Sequence, residues 1–453
     1  MMRLKSINKL FLLALISIGA ACSSDQQLPP VSKVVHPEWS KNANIYEVNI
    51  RQYTPEGTFN AFREDLPRLK NMGVDILWLM PIHPIGELNR KGTKGSYYAV
   101  QDFKADNPEF GTEEDFQALV DAAHDLDMKV IIDWVANHSS WDNVWTVNKD
   151  WYTLDEEGNF MPPVEDWSDV IDFNYDNPDM RAAMFDALEY WVREFNIDGY
   201  RCDVAGMVPT DFWVEAHQRL DEIKDVFMLA EDEEPELLIE AFDMNYAWEY
   251  AHITREIAAG EQTFADLDAL FESDAQRFPK NGYRMYFTTN HDENSWNGSD
   301  VELWGANFEN FAVLSATVAG MPLIYTGQES ILDKRIEFFE KDAVDWKDYA
   351  YEDFYRMLLT LQDENMALWN GAFGGERTRI ESPEGTYAFN RKKGQNEVIV
   401  AINITEETKE ILIPLSASIV YSQYGNSNET VSSEFGTYRI ELPAHQWLIL
   451  ATN

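Results

Sequence analysis

The chain has 453 residues, 79 acidic and 36 basic, and its net charge of −43 argues against nucleic acid or an anionic membrane surface as a partner held by charge. A hydrophobic content of 45% is enough for a large core in two or three domains and excludes global disorder. Two cysteines, Cys22 and Cys202, exclude a disulfide framework and a cysteine-based zinc site.

Residues 1–21 read as a secretory signal: Arg3 and Lys5, the apolar run Leu10–Ile18, then Gly19, Ala20 and Ala21 directly before Cys22. Small residues ahead of a cysteine resemble a bacterial lipoprotein processing site. That implies a lipid on Cys22, export across the inner membrane, and anchoring in the periplasm or at the cell surface. Residues 22–40 are then expected to be a flexible tether. No later run is long and apolar enough to span a bilayer.

From Asn44 the pattern alternates strand and helix, which argues for a parallel α/β sheet. Eight apolar-rich strands are expected: 45–50, 74–80, 130–135, 197–203, 226–230, 241–246, 284–288 and 322–325. Amphipathic helical stretches fall between them, such as 59–71, 113–127, 180–195 and 308–319. Eight such units predict a (β/α)8 TIM barrel over residues 41–370, with its active site at the C-terminal ends of the strands. A short inserted domain, about 139–177, follows the third strand and carries Trp141, Trp145, Trp151, Tyr152 and Trp167. So many aromatics in so short a segment are expected to lengthen a cleft, and aromatic faces suit sugar rings. After a helix around 351–368, short alternating segments predict a C-terminal antiparallel β-sandwich domain over 371–453.

Four strand ends break from apolar runs into carboxylate, histidine or asparagine: VIIDWVANH (Val130–His138), IDGYRCDVAG (Ile197–Gly206), DVFMLAE (Asp225–Glu231) and YFTTNHD (Tyr286–Asp292). Side chains two apart on a strand share a face, so Arg201 and Asp203 point the same way while Cys202 faces oppositely as a packed, inert thiol. The guanidinium beside Asp203 is expected to favour its charged form.

These blocks, in this order on these strands, resemble the α-amylase family of glycoside hydrolases (family 13), in a bacterial lipoprotein form. Further matches are GSYYAVQDF (Gly95–Phe103) and GMPLIYTGQE (Gly320–Glu329). The resemblance implies Asp203 as nucleophile, Glu231 as general acid/base and Asp292 as transition-state stabiliser. Tyr98, His138, Arg201 and His291 match the sugar-binding positions where the bond breaks. It implies a retaining hydrolase of α-glucosidic bonds, α-1,4 bonds first, in starch-like glucans or maltooligosaccharides. A transglycosylase with the same residues, or a glycan-binding protein without activity, are the alternatives. No organic cofactor is required, and Asn137 matches a position that holds structural calcium (Ca2+) in many members. Glu231 needs a raised pKa, to which the acidic run Glu231–Glu234 would contribute if its side chains lie close. Where better-known members carry lysine and histidine after the nucleophile block, this chain has Gly206 and Met207, so contacts on the leaving-group side differ.

Overall fold

A computed structural model describes residues 29–416, 419–425, 430–432 and 436–452. The expected signal segment and Cys22 lie outside the described residues. Eight parallel strands close a barrel in sequential order: β1 (Ile45–Val48), β2 (Ile76–Leu79), β3 (Lys129–Trp134), β4 (Gly199–Cys202), β5 (Phe227–Ala230), β6 (Met244–Tyr246), β7 (Tyr283–Tyr286) and β8 (Met321–Tyr325). The strands sit where the apolar runs predict them because both faces are buried. Ile45, Ile76, Ile131, Leu229 and Met285 fill the interior, while Tyr46, Leu77, Ile132, Tyr200 and Met228 pack outward against helices. Cys202 belongs to the outward set and is fully buried.

Helices cover the barrel, among them α1 (Glu113–Asp125), α2 (Pro178–Phe195), α3 (Phe308–Thr317) and α4 (Glu352–Glu364). Their ends follow local chemistry. Thr112 and Asp115 form a reciprocal capping box at the start of α1, and α2 has Asn177 as N-cap, Pro178 in its first turn and a left-handed Asn196 at its end. Among the described residues, no helix is long and apolar enough to cross a membrane.

The expected tether, 22–40, needs correction at its C-terminal end. From Ser32 onward the chain is docked under the barrel: Ser32 and Asn281 exchange two hydrogen bonds at 3.0 and 3.1 Å. His36 lies 2.8 Å from Asp243 and 2.6 Å from the Asn281 carbonyl, and its ring stacks on Tyr283 at 4.2 Å. Residues Glu38–Asn42 form a 3-10 turn. Asp243 and Asn281 immediately precede β6 and β7, so this docking is on the barrel face opposite the strand C-termini.

Behind the barrel, β9 (Glu376–Ile380), β10 (Thr386–Lys393), β11 (Asn396–Asn403), β12 (Lys409–Pro414), β13 (Val420–Gly425), β14 (Thr430–Ser432), β15 (Thr437–Leu442) and β16 (Trp447–Ala451) form antiparallel sheets. Six of them run in the order β9-β10-β11-β16-β13-β14, and β12 pairs with β15. The near-continuous apolar run of β11 serves two faces: Ile399 and Ala401 enter the β domain's own core, while Val398, Val400 and Ile402 join the barrel's. Arg391, fully buried on β10, clamps the junction by donating to the carbonyls of Thr317, Val318, Leu368, Trp369 and Gly375 at 2.9–3.3 Å. Removing the guanidinium strands several buried acceptors, each worth about 1–3 kcal/mol if left unpaired. Arg391→Met is therefore expected to lower the unfolding free energy by about 3 kcal/mol or more, measured from the midpoint and slope of urea unfolding.

Candidate active site

The barrel's inner face turns polar toward the C-terminal ends of its strands. Glu47 and Trp78 lie side by side in register on β1 and β2, and Asp133 and Arg201 do so on β3 and β4. Gly199 lets β4 come close to β5, since a Cβ there would lie 1.9 Å from the Phe227 carbonyl oxygen, and its φ of +147° suits glycine. Two residues on, Arg201 is fully buried. Its Nη1 donates to Asp133 Oδ1 at 2.8 Å and to Asp203 Oδ1 at 3.1 Å, its Nε donates to the Tyr246 hydroxyl at 3.2 Å, and its Nη2 pairs with Glu231 Oε2 at 2.9 Å. Arg201 thus lies under the cleft floor rather than in its lining: it holds three carboxylates instead of facing the open space.

Directly after Asp203, Val204 takes a left-handed conformation with φ of 37° and ψ of 49°. That is a strained state for a β-branched residue. It aims the Val204 N–H at Glu231 Oε2, 2.8 Å away, so the turn that follows one carboxylate fixes the other. Burial, and then the Glu231 carboxylate, push the Asp203 carboxyl well up, while Arg201 pulls it down. The expected pull of Arg201 toward the charged form is present, but one guanidinium is divided among three carboxylates, and burial and Glu231 oppose it. Burial also raises Asp133 to about 6, against the pull of Arg201.

The acidic run beyond Glu231 is a bend whose side chains are tied up elsewhere. Asp232 Oδ1 accepts from the N–H groups of Glu233 and Glu234 at 2.7 Å each, and Glu233 pairs with Arg284. Gly206 leaves the room Asp232 fills, because a Cβ there would lie 2.1 Å from Asp232 Oδ2.

Asp292 projects from the opposite wall, a third of its side chain exposed, with Oδ2 3.3 Å from His291 Nε2. Tyr98 donates its hydroxyl proton to Asp133 Oδ2 at 3.0 Å and stacks on His291 with ring centroids 5.5 Å apart. His138 Nε2 lies 3.9 Å from Asp203 Oδ2. The Asn137 amide faces His138 Nδ1 at 3.3 Å, which leaves the neutral ring's proton on Nε2, toward the cleft. Burial lowers His138 to about 3. The Asn137 side-chain amide faces His138 and its backbone carbonyl accepts from the Phe173 N–H, and among the described residues no three His, Cys, Asp or Glu side chains converge to hold a metal.

The cleft, about 390 Å³, is lined by Asp203, Glu231, Asp292, Tyr98, His138 and His291. Six of the seven sequence-predicted residues therefore meet at one opening, with Arg201 beneath. The lining also includes residues that the sequence reading passed over. Trp296, Phe338 and Phe339 form one wall, with Phe338 parallel to Tyr98 at 6.2 Å and 5.4 Å from the half-exposed Trp296. Lys91 and Asp169 join two loops across another part of the rim by an ion pair at 2.8 Å. Both aromatic sets follow barrel strands at the active face, and that position was the available signal.

Only one tryptophan of the inserted segment reaches the cleft. Trp167 stands 5.5 Å from the His138 ring and lines the opening. Trp145 packs on Phe103, Trp151 and Phe173 at 4.8–5.7 Å, Trp141 on Phe160, and Trp141, Trp145 and Trp151, each partly buried, pack against the main core. The segment's two ends, His138–Ser140 and Val170–Asp172, pair as an antiparallel ribbon that orients Trp167. Trp145→Ala is expected to destabilise by about 3 kcal/mol, whereas Trp167→Ala leaves the midpoint close to that of the unchanged chain. Thermal unfolding of the two variants side by side checks this.

Residues 35–167 and 148–364 match the model of the alpha amylase catalytic domain. The chain is 26% identical over 428 residues to alpha-amylase MalA of Haloarcula japonica, covering 91% of this chain and 59% of that relative's length. It is 26% identical over 476 residues to the maltogenic alpha-amylase of Bacillus acidopullulyticus, covering 92% and 77% respectively. Its structure is similar to that of an alpha-amylase from Lactobacillus plantarum, with a TM-score of 0.82, 32% identity and coverage of 92% of this chain and 100% of the other. It is also similar to the maltogenic alpha-amylase AmyB from Thermotoga neapolitana, with a TM-score of 0.81, 30% identity and coverage of 91% and 99%.

Proposed function

The chain belongs to the alpha-amylase family of glycoside hydrolases, and from that premise we propose that it is a retaining enzyme that cleaves α-glucosidic bonds, α-1,4 bonds first, in starch-like glucans or maltooligosaccharides. The observation that carries this reading is a single guanidinium in contact with both Asp203 and Glu231, under a cleft that Asp292 faces from the other wall. Retaining chemistry needs two carboxyls about 5–5.5 Å apart, and shared contact with one arginine fits so short a separation.

In the first step an Asp203 oxygen bonds to the anomeric carbon as the glycosidic bond breaks, and the departing oxygen takes the proton of Glu231. Asp292, facing the cleft, stabilises the positive charge that grows on the sugar. In the second step Glu231 accepts a proton from water, the water oxygen bonds to the anomeric carbon, and Asp203 leaves. Arg201 acts through the carboxylates it holds. Neutral His138 offers its Nε2–H to a sugar hydroxyl, and Tyr98 presents its ring to the sugar face.

Transfer to a second sugar in place of water uses the same carboxylates, and the strip of Trp296, Phe338 and Phe339 favours this second reading by offering flat faces on which an acceptor can stack. Product analysis on maltooligosaccharides distinguishes the two: hydrolysis yields only shorter chains, whereas transfer also yields longer ones.

Asp203→Asn is expected to abolish turnover of every substrate. Glu231→Gln should reduce cleavage of a natural glucan by roughly 10² to 10⁴ yet allow the first step on an aryl glycoside with a good leaving group. The signature is a burst of aryl alcohol and added mass on the peptide carrying Asp203. Equal loss on both substrates, or mass elsewhere, would reverse the assignment.

The proposal extends to location: export directed by residues 1–21 and lipid attachment at Cys22, supported by the charged start, apolar run and small residues before the cysteine. Cys22→Ala is expected to move the protein from the detergent-extracted membrane fraction to the soluble fraction, followed by immunoblot.

A further inference from the structure

Glu47 is an anomaly in β1, a carboxylate in the middle of an apolar strand with no exposure to solvent. Its strand neighbours in register are Trp78 and Tyr325, and an apolar residue would fit between them. One carboxylate oxygen, Oε1, lies 2.5 Å from His291 Nδ1; the other, Oε2, has no partner. An unpaired buried carboxylate oxygen is costly, so packing alone does not account for the residue.

The hydrogen bonds around His291 bear on where its protons sit. Burial raises the Glu47 carboxyl while His291 and Arg201 pull it down, and as a carboxylate it takes the Nδ1 proton. Nε2 lies 2.7 Å from the Tyr98 hydroxyl, whose O–H is directed at Asp133 Oδ2, and 3.3 Å from Asp292 Oδ2. Both neighbours of Nε2 are acceptors, so Nε2 must donate as well.

From this geometry we propose that Glu47 is a positioning residue for the reaction: it holds His291 as a doubly protonated imidazolium whose Nε2–H is directed at Asp292 and at the sugar in the cleft. The proposal rests on the functional reading above. Glu47, His291 and Asp292 together then carry one negative charge. A charged His291 without Glu47 would cancel the Asp292 carboxylate where positive charge develops on the sugar. A neutral His291 with its proton on Nδ1 would turn a lone pair toward Asp292.

The charged and titratable groups facing His291 are Glu47 from β1, Tyr98 from the loop after β2, Asp133 from β3, Arg201 from β4, and Asp292 beside it; Tyr246 and Tyr325 face Glu47 from β6 and β8. Burial and Arg201 oppose charge on His291, but Asp292 and Glu47 outweigh them and raise it to about 9. A raised histidine keeps its proton at neutral pH and loses it as pH rises through that value. The imidazolium is therefore present across the neutral range, and its loss belongs to the alkaline limb of the activity profile.

The test is Glu47→Gln, which keeps the volume and an acceptor for Nδ1–H but removes the charge. The alkaline limb of kcat/KM on maltooligosaccharides should move acidward by about 1 to 3 pH units, with activity recovering as pH is lowered. In ¹⁵N-histidine spectra of the unchanged protein, one of its 8 histidines, assigned by its loss in His291→Gln, should have both ring nitrogens protonated at neutral pH. In Glu47→Gln it should titrate lower. A singly protonated His291 at neutral pH in the unchanged protein overturns the proposal, as does a Glu47→Gln variant reduced by the same factor at every pH. The spectrum of the unchanged protein decides even if the variant fails to fold. If the unchanged protein cleaves no glucan, the functional reading fails, while the spectrum still tests the role of Glu47.

Discussion

One arginine against three carboxylates is the constraint on which the site depends. Arg201 is wholly inside the barrel, and its contacts with Asp133, Asp203 and Glu231 bring together residues from three adjacent strands or their ends. A buried guanidinium without partners would cost several kcal/mol, and three clustered carboxylates without it would repel. Each side therefore makes the other tenable. The cluster has more negative than positive charge, and burial with this crowding pushes the Asp203 carboxyl up against the pull of Arg201. Acid–base chemistry draws on the same effect, carboxyls whose hold on a proton is set by their neighbours. The arrangement that makes burial tolerable is thus the one that equips the site.

That cluster stands on an apolar foundation. Lower in the barrel, Ile45, Ile76, Ile131 and Leu229 fill the interior without polar atoms. One residue pair further along the strands come Glu47, Trp78, Asp133 and Arg201, each two residues on from an inward apolar neighbour or, for Arg201, from Gly199. The period of two in a strand makes the change abrupt. The foundation excludes water from below, so every charge above it interacts in a poorly screened setting. This is why groups 2.5–3.3 Å from His291 bear strongly on its protonation, and why a strained turn at Val204 is worth holding to aim one N–H at Glu231.

Much of this was legible in the sequence, for identifiable reasons. Strands buried on both faces leave apolar runs, so all eight appear in order, and the residues that end the runs at His138, Asp203, Glu231 and Asp292 reach one opening. Strand alternation correctly separated Cys202 from Arg201 and Asp203. What local pattern could not show was direction in irregular segments and contact over long separations. The tryptophans of the insertion look alike in sequence, yet Trp145 faces Phe103 and Phe173 while Trp167 faces His138. His36 meets Asp243 across 207 positions, which no neighbouring residue foretells. Phe338 and Phe339 lie in a loop with no regular period, and only its position after β8 pointed to the active face. Glu47 was readable in principle, since a lone carboxylate in a buried strand contradicts its surroundings and such contradictions gather at functional sites.

The docking of residues 32–42 bears on how the cleft is presented. Ser32 and His36 are held by Asn281 and Asp243, just ahead of β7 and β6, whereas Asp203, Glu231 and Asp292 lie at or beyond the opposite strand ends. The strands all run the same way, so the N-terminal segment joins the barrel at one end and the cleft opens at the other. The length of the barrel stands between the docked segment and the reacting carboxyls. The insertion and the aromatic wall are likewise at the far end, where a long, neutral chain can enter without crossing the docked segment. A parallel barrel fixes that polarity by topology, because its strand C-termini share one face, and a single docked segment at the other face is enough to orient them all.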